Sequence, residues 1–206
     1  MILACRSVER GERAAVEVRK RSGNDNVVFL QLDLTSLDSV RKFAAKILEE
    51  EPRIDILINN AGLYSSRFSH TEDRFEKHMG VNYLGHFLLT NLLLDCLKEA
   101  PSARIINVSS SLYKRCNTFE FEDMKSVDPK RVGTAYSKSK LAVILFTRAL
   151  TKRLVSTNVT VNVLHPGMTR TELARDTMSS LSWLSHVSSY VSTFRTYHLQ
   201  PGCLRH

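Results

Sequence analysis

The stretch IDILINNAG, Ile54 to Gly62, is a short β-branched apolar run that stops on two amides, an alanine and a glycine. A nearly unbroken apolar run of this length suits a strand covered on both faces, as in a parallel sheet. Four more runs share its character: MILAC from Met1, VVFLQLDL from Val27, ARIINVSSS from Ala103 and NVTVNVLHPG from Asn158. The segments between them carry helix signals. TSLDSVRKFAAKILEEE offers Thr35 or Ser36 as a cap, with apolar residues spaced at Val40, Phe43, Ala44 and Ile47. Thr71 to Ala100 reads as one long helix with acids in its first turn. Strands alternating with helices predict an α/β fold, a doubly wound parallel sheet. The 206 residues with 43% apolar content suit a single domain over residues 1–206.

Composition narrows the function classes. The net charge of +8 is spread through stretches such as RSVERGERAAVEVRKR, where acids interleave with bases, so a solvated face is expected rather than a nucleic-acid surface. Cys5, Cys96, Cys116 and Cys203 show neither metal-ligand spacing nor a disulfide framework, which points to a reducing compartment. The seven histidines show no metal spacing either, and no metal is expected. MILACRS is too short for a signal peptide, and FLLTNLLLDCL is interrupted by Thr, Asn and Asp. The expected location is therefore cytoplasmic or membrane-peripheral, without a spanning segment.

In open α/β sheets, ligands bind beyond the carboxyl ends of the strands. The residues ending the runs are Arg6, Asp33, Asn60, Ser110 and the His165–Gly167 turn. Asp33 suits either a ligand contact or a helix cap, and NNAG suits either an ordinary turn or a close approach of backbone to ligand. The stretch TAYSKSKLAVILF, Thr134 to Phe146, adds a tyrosine and a lysine four residues apart. Four residues advance a helix by about 400° and about 6 Å, so Tyr136 and Lys140 share one face. A phenol titrates near pH 10, roughly, and an adjacent ammonium favours its ionised form.

With these pieces in order (NNAG, VNYLGHFLL around Asn82, INVSSS, Tyr136 with Lys140, HPGMTRTEL) the chain resembles the short-chain dehydrogenases/reductases. Within them, ILACRS, LDLTSLDSVR, RIDILINNAG and YSKSKLAVILFTRAL look most like the retinol dehydrogenase branch, over about Met1 to Asp176. The resemblance implies a Rossmann-type fold and hydride exchange between a nicotinamide cofactor and a lipophilic alcohol or its carbonyl, a retinoid, steroid or similar. It implies Tyr136 as general acid/base, Lys140 depressing the pKa of Tyr136 and holding the nicotinamide ribose, Ser110 on the substrate oxygen, and Asn82 supporting the lysine through water. Ser110 is chosen from Ser109, Ser110 and Ser111 by counting along the strand. Cofactor contacts are expected at Arg6, Asp33, Leu34, Asn60, Ala61, Gly62, Tyr136, Lys140, Pro166, Gly167 and Thr169. NAD-preferring relatives carry an acid where this chain has Cys5 followed by Arg6, and a guanidinium there suits a 2′-phosphate, so NADP is expected.

The chain departs from the family pattern at both ends. A glycine-rich TGxxxGxG turn is not present, and YHLQPGCLRH does not continue the family's late region. The expectation is a chain truncated at both ends, lacking the family's first strand, which would lie between MILAC and IDILI, its pyrophosphate turn, and its last strand. That leaves an alternative function, a catalytically inactive relative serving as a binding or dimerising module. Leu184, Val187, Val191 and Phe194 are helically spaced, so Leu181 to Phe194 is expected to form an amphipathic helix that covers the substrate site or meets a membrane surface. A homodimer is left open.

Overall fold

The computed structural model describes residues 1–116, 118–120, 132–167 and 195–197. The first three elements are strand β1 (Ile2–Cys5), helix α1 (Val8–Ser22) and strand β2 (Val28–Gln31). Helix α1 starts where the Ser7 hydroxyl accepts from the Arg10 N–H, carries Glu9 in its first turn and Arg19, Lys20 and Arg21 in its last, and ends at Gly23 with φ 66°. Each of these features complements a helix terminus. The helix lies so close to β2 that a Cβ on Gly11 would stand 2.1 Å from Cε2 of Phe29.

Helix α2 (Leu37–Glu50) is capped by Ser36, one of the two expected caps, and buries Val40, Phe43, Ala44 and Ile47 as their spacing predicts. Strand β3 (Ile56–Asn59) follows. The expected single helix from Thr71 to Ala100 is replaced by a series: α3 (Lys77–Met79), a π-helical turn (Gly80–Leu84), α4 (Gly85–Leu92) and α5 (Leu94–Lys98). The start is delayed because Thr71 closes a turn with the Phe75 carbonyl, Arg74 takes φ 63°, and Glu76 supplies the cap by accepting from the Met79 N–H. Strand β4 (Ala103–Val108), a 3₁₀ turn (Ser111–Arg115), helix α6 (Val132–Arg153) and strands β5 (Val159–His165) and β6 (Arg195–Tyr197) complete the described elements.

The strands form two sheets. Strands β1 and β2 pair in parallel, while β3, β4 and β5 form a parallel layer to which β6 adds in antiparallel sense. The MILAC and IDILI runs thus belong to separate sheets, and β6 lies where the sequence reading placed no strand. Burial also differs from the expectation of strands covered twice. In register, Leu57, Ile105 and Val161 form one row and Ile58, Ile106 and Asn162 the next. The first row packs against a core containing Leu89, Leu93, Val143, Phe146 and Leu150. On the opposite face Ile56 and Ile58 are 54% and 58% exposed. The β1–β2 sheet is tied to the larger layer through the same core, where α2 packs on α4, and through Asp73, which accepts from the Leu37 N–H at 2.8 Å. No described helix is long and apolar enough to cross a membrane.

Candidate active site

Helix α6 presents Tyr136 and Lys140 one turn apart, each 4% exposed. Beside them β4 ends, and its two-residue alternation sorts the three adjacent serines. Ala103, Ile105, Asn107 and Ser109 are buried on one face, and the Ser109 hydroxyl donates to the Lys140 carbonyl at 2.8 Å. Ser110 has the opposite phase, half-buried in extended backbone at φ −149° and ψ 149°, and shares a hydrogen bond with the Tyr136 hydroxyl. Ser111 is exposed. The pleat thus turns Ser109 into the interior against Lys140 and leaves Ser110 on the side of the Tyr136 phenol.

Burial governs the charges here. It pushes the Tyr136 phenol above its ordinary value; the Ser110 hydrogen bond opposes this and nearby Tyr64 reinforces it. Burial likewise pushes the Lys140 ammonium down to about 8. The expected depression of Tyr136 by Lys140 is therefore outweighed. The Lys140 Nζ donates to the Val108 carbonyl at 3.0 Å and stands 5.9 Å from the centre of the Tyr136 ring, while a phenolate at 4% exposure forfeits most of its hydration.

Asn82 sits on the π-helical turn, a rare geometry that recurs at functional sites. Its Oδ1 accepts from the Leu63 N–H at 2.8 Å, and its Nδ2 donates to the Leu63 carbonyl and to the Ser139 hydroxyl, both at 3.1 Å. Ser139 in turn donates to the Tyr136 carbonyl at 2.7 Å. Asn82 thereby joins the loop after β3 to the first turns of α6. Gly62 passes through the same point: a Cβ there would lie 3.2 Å from Asn82 Oδ1 and 3.4 Å from Lys140 Nζ.

The two amides of NNAG divide their work. Asn59 is buried; its Nδ2 donates to the Thr90 hydroxyl at 2.9 Å and to Asn107 Oδ1 at 2.8 Å, and Asn107 Nδ2 donates to the Thr147 hydroxyl at 2.9 Å. This ladder fixes β3, β4, α4 and α6 to one another. Asn60 and Ala61 are exposed beyond the end of β3.

The remaining expected contacts are distributed. Arg6 is exposed just after β1, and its carbonyl accepts from Gln31 Nε2 at 3.1 Å. Asp33 Oδ1 accepts from both the N–H and the hydroxyl of Thr35, at 2.9 and 2.8 Å, so it shapes the approach to α2 while Ser36 caps it. Leu34 turns its side chain into the core against Gly85. Pro166 and Gly167 are half-buried after β5, Gly167 at φ 79°, where a side chain would be strained. Thr169 and the Leu181–Phe194 segment lie outside the described residues. The site also contains residues that sequence reasoning missed. Tyr64 and His78 stand edge-on to Tyr136, with ring centres 5.0 and 5.9 Å away, and buried His86 bonds the Asn82 carbonyl through Nδ1 at 3.3 Å. The spacing of His78, Asn82 and His86 at every fourth residue of an apolar helix was the available signal.

The residues present fit a nicotinamide dinucleotide. An added Cβ at Gly62 would crowd Asn82 Oδ1 and the Lys140 ammonium, so the backbone passes close to a charged group there, and exposed Asn60 and Ala61 offer main-chain groups beside it. Comparison with known proteins agrees. The family model described as short chain dehydrogenase matches residues 1–181. The chain is 53% identical over 202 residues to retinol dehydrogenase 13 of Homo sapiens, covering 98% of this chain and 58% of that protein. To retinol dehydrogenase 12 of Homo sapiens it is 46% identical, covering 94% and 61% respectively. It thus spans about three-fifths of the length of these relatives. Among solved structures, the alcohol dehydrogenase of Thermococcus sibiricus complexed with 5-hydroxy-NADP matches with TM-score 0.63 at 27% identity, over 84% of this chain and 67% of that one. Salutaridine reductase of Papaver somniferum matches with TM-score 0.64 at 26% identity, over 84% and 79%.

Proposed function

This chain belongs to the short-chain dehydrogenase family, and we propose that it serves an oxidoreductase interconverting a lipophilic alcohol, of retinoid or steroid type, and its carbonyl, with NADP as cofactor. The observation that carries the reading is the placing of buried Tyr136 and Lys140 one helical turn apart on α6, with the Ser110 hydroxyl beside the phenol at the end of a parallel strand. The similarity to retinol dehydrogenases supports the substrate class.

The bound dinucleotide supplies or accepts the hydride. In the reducing direction Tyr136 gives its Oη proton to the carbonyl oxygen, and in the oxidising direction it takes the alcohol proton. Ser110 directs its hydroxyl at the same oxygen, so substrate oxygen, serine and phenol share one hydrogen-bonded point. A neutral Tyr136, favoured by burial, is the protonation state that carbonyl reduction requires. Lys140, largely charged at neutral pH with a value of about 8, holds the ribose side of the site. Arg6, exposed after β1, suits a ribose 2′-phosphate. Peripheral membrane contact and a homodimer stand as further proposals for this chain.

Turnover of retinal with NADPH tests the reading. Tyr136→Phe keeps the ring and removes the transferable proton, so turnover should fall about 10²- to 10⁴-fold. A variant that keeps most of its activity overturns the assignment. Arg6→Asp should weaken NADPH binding, followed by nucleotide fluorescence, more than NADH binding; equal losses would remove Arg6 from the phosphate site.

A further inference from the structure

Tyr64 lies two residues beyond the NNAG turn, with its ring edge-on to Tyr136 at 85° and 5.0 Å between centres. The backbone on both sides of Tyr64 is clamped to the helix series that carries Asn82. On one side Leu63 exchanges two hydrogen bonds with the Asn82 side chain. On the other the Ser65 N–H donates to Nε2 of His78 at 3.0 Å. A backbone N–H can only donate, so this bond makes Nε2 the acceptor and leaves the ring proton on Nδ1. That proton faces Glu76 Oε1 at 2.7 Å, and Glu76 Oε2 accepts from the Met79 N–H at 2.9 Å. Glu76 and His78 are 1% and 0% exposed, so the pair is a fixed internal strut. The groups around the phenol are then Tyr64 and His78 with their rings near-perpendicular to its own, Ser110 beside its hydroxyl and Lys140 over its face.

We propose that Tyr64, held in place by the buried Glu76–His78 pair, is a positioning residue for Tyr136 that fixes the direction of the phenol and shields it from water. The proposal rests on the reading of Tyr136 as the acid/base group. It matters because displacing a reacting group by about 1 Å can cost on the order of 10²-fold in rate. An edge-on aromatic contact restrains the ring at modest cost, and Tyr64, the nearer of two neighbouring rings whose own centres are 6.1 Å apart, makes the closer one.

The test places 3-fluorotyrosine at position 136 of the full chain and follows its ¹⁹F resonance through the alkaline titration, without cofactor or substrate. Tyr64→Leu should move the midpoint downward, toward an ordinary fluorophenol, because water reaches the hydroxyl. His78→Phe retains a ring but offers Ser65 no acceptor, and should move the midpoint the same way. Because both act through one ring, the double variant should shift no further than Tyr64→Leu alone. His78→Gln puts an amide oxygen where Nε2 stood and should bring the midpoint most of the way back, short of the full value by whatever the lost ring contact at 5.9 Å contributed. An unmoved midpoint in His78→Phe, or a double shift equal to the sum, overturns the proposal. If His78→Phe does not fold, an unmoved midpoint in Tyr64→Leu or an unrestored one in His78→Gln overturns it equally. Failure of the oxidoreductase reading would look different: turnover would survive Tyr136→Phe while this titration pattern persisted.

Discussion

The β1–α1–β2 unit and the β3–β4–β5 layer are both parallel, yet they bury different chemistry. In the first, Gly11, Ala15 and Val27 are buried, while the Glu17–Arg21 pair on α1 is 64% and 80% exposed. Two side chains reach between its elements, and both donate to main-chain carbonyls, Arg19 Nε to Val27 and Gln31 Nε2 to Arg6. In the second, Asn59, Asn107, Thr90, Thr147, Ser109 and Lys140 are all buried. Their hydrogen bonds reach from strand to strand and from strand to helix. A buried polar group is costly unless paired, so such a network admits one arrangement, whereas exposed pairs on a small apolar core admit many. The layer that holds Tyr136 is thus rigid through its side chains, and the unit that holds Arg6 through its backbone.

The contrast is most directly broken at the ladder. Asn107→Ala removes the acceptor of Asn59 and the donor to Thr147, and should lower stability by about 2–4 kcal/mol, read from urea unfolding. A loss well under 1 kcal/mol, roughly, would mean that the ladder does not lock the layer. Next comes a pH test. Burial holds the His86 imidazole down to about 4, helped by the Lys140 charge and opposed by its bond to the Asn82 carbonyl. Between the ordinary value of 6.5 and about 4 the unfolded chain binds the extra proton, so stability complete above that window is lost as the pH falls through it. The loss reaches about 3 kcal/mol. His86→Asn can keep the donor without the titration, and its acid limb should be flatter; an unchanged limb would assign the acid loss elsewhere. In the other unit, Gly11→Ala drives a methyl into the Phe29 ring and should cost about 1–3 kcal/mol by thermal melting. A neutral result there would show that α1 can lift from β2. The smallest effect is expected at Glu17→Ala, within about 0.5 kcal/mol, because the pair it breaks is solvated. A larger one would mean that surface charge does hold the first unit.

The sequence made some of this visible and hid the rest for identifiable reasons. Tyr136 and Lys140 share a face by helical arithmetic alone, and the two-residue phase of ARIINVSSS separates Ser109 from Ser110. Periodicity also anticipated the buried face of α2. It failed over Thr71 to Phe75, where acids read as a first helical turn in fact close a loop, because a turn held by Thr71 and capped by Glu76 leaves no periodic trace. Tyr64 was missed because its meeting with His78 depends on that loop geometry, although the four-residue spacing of His78, Asn82 and His86 was there to read. The raised phenol of Tyr136 was missed because burial belongs to the assembled fold, whereas the lysine that should counter it is visible as a letter. Strand β3, which read as covered on both faces, leaves Ile56 and Ile58 exposed on one, since apolar runs report which residues can be buried and not what is at hand to bury them.

The π-helical turn at Gly80–Leu84 has a consequence for the history of such chains. Regular α-helix turns about 100° per residue, so losing one residue here would restore ordinary helix and swing everything before it by about that angle relative to α4. Asn82, His78 and Glu76 would leave the loop they anchor, although every side chain were still in the sequence. Insertions and deletions, which surface loops accept readily, should therefore be excluded from this one turn even where substitutions are tolerated. The spacing of the segment, and not only its composition, is what descent must preserve.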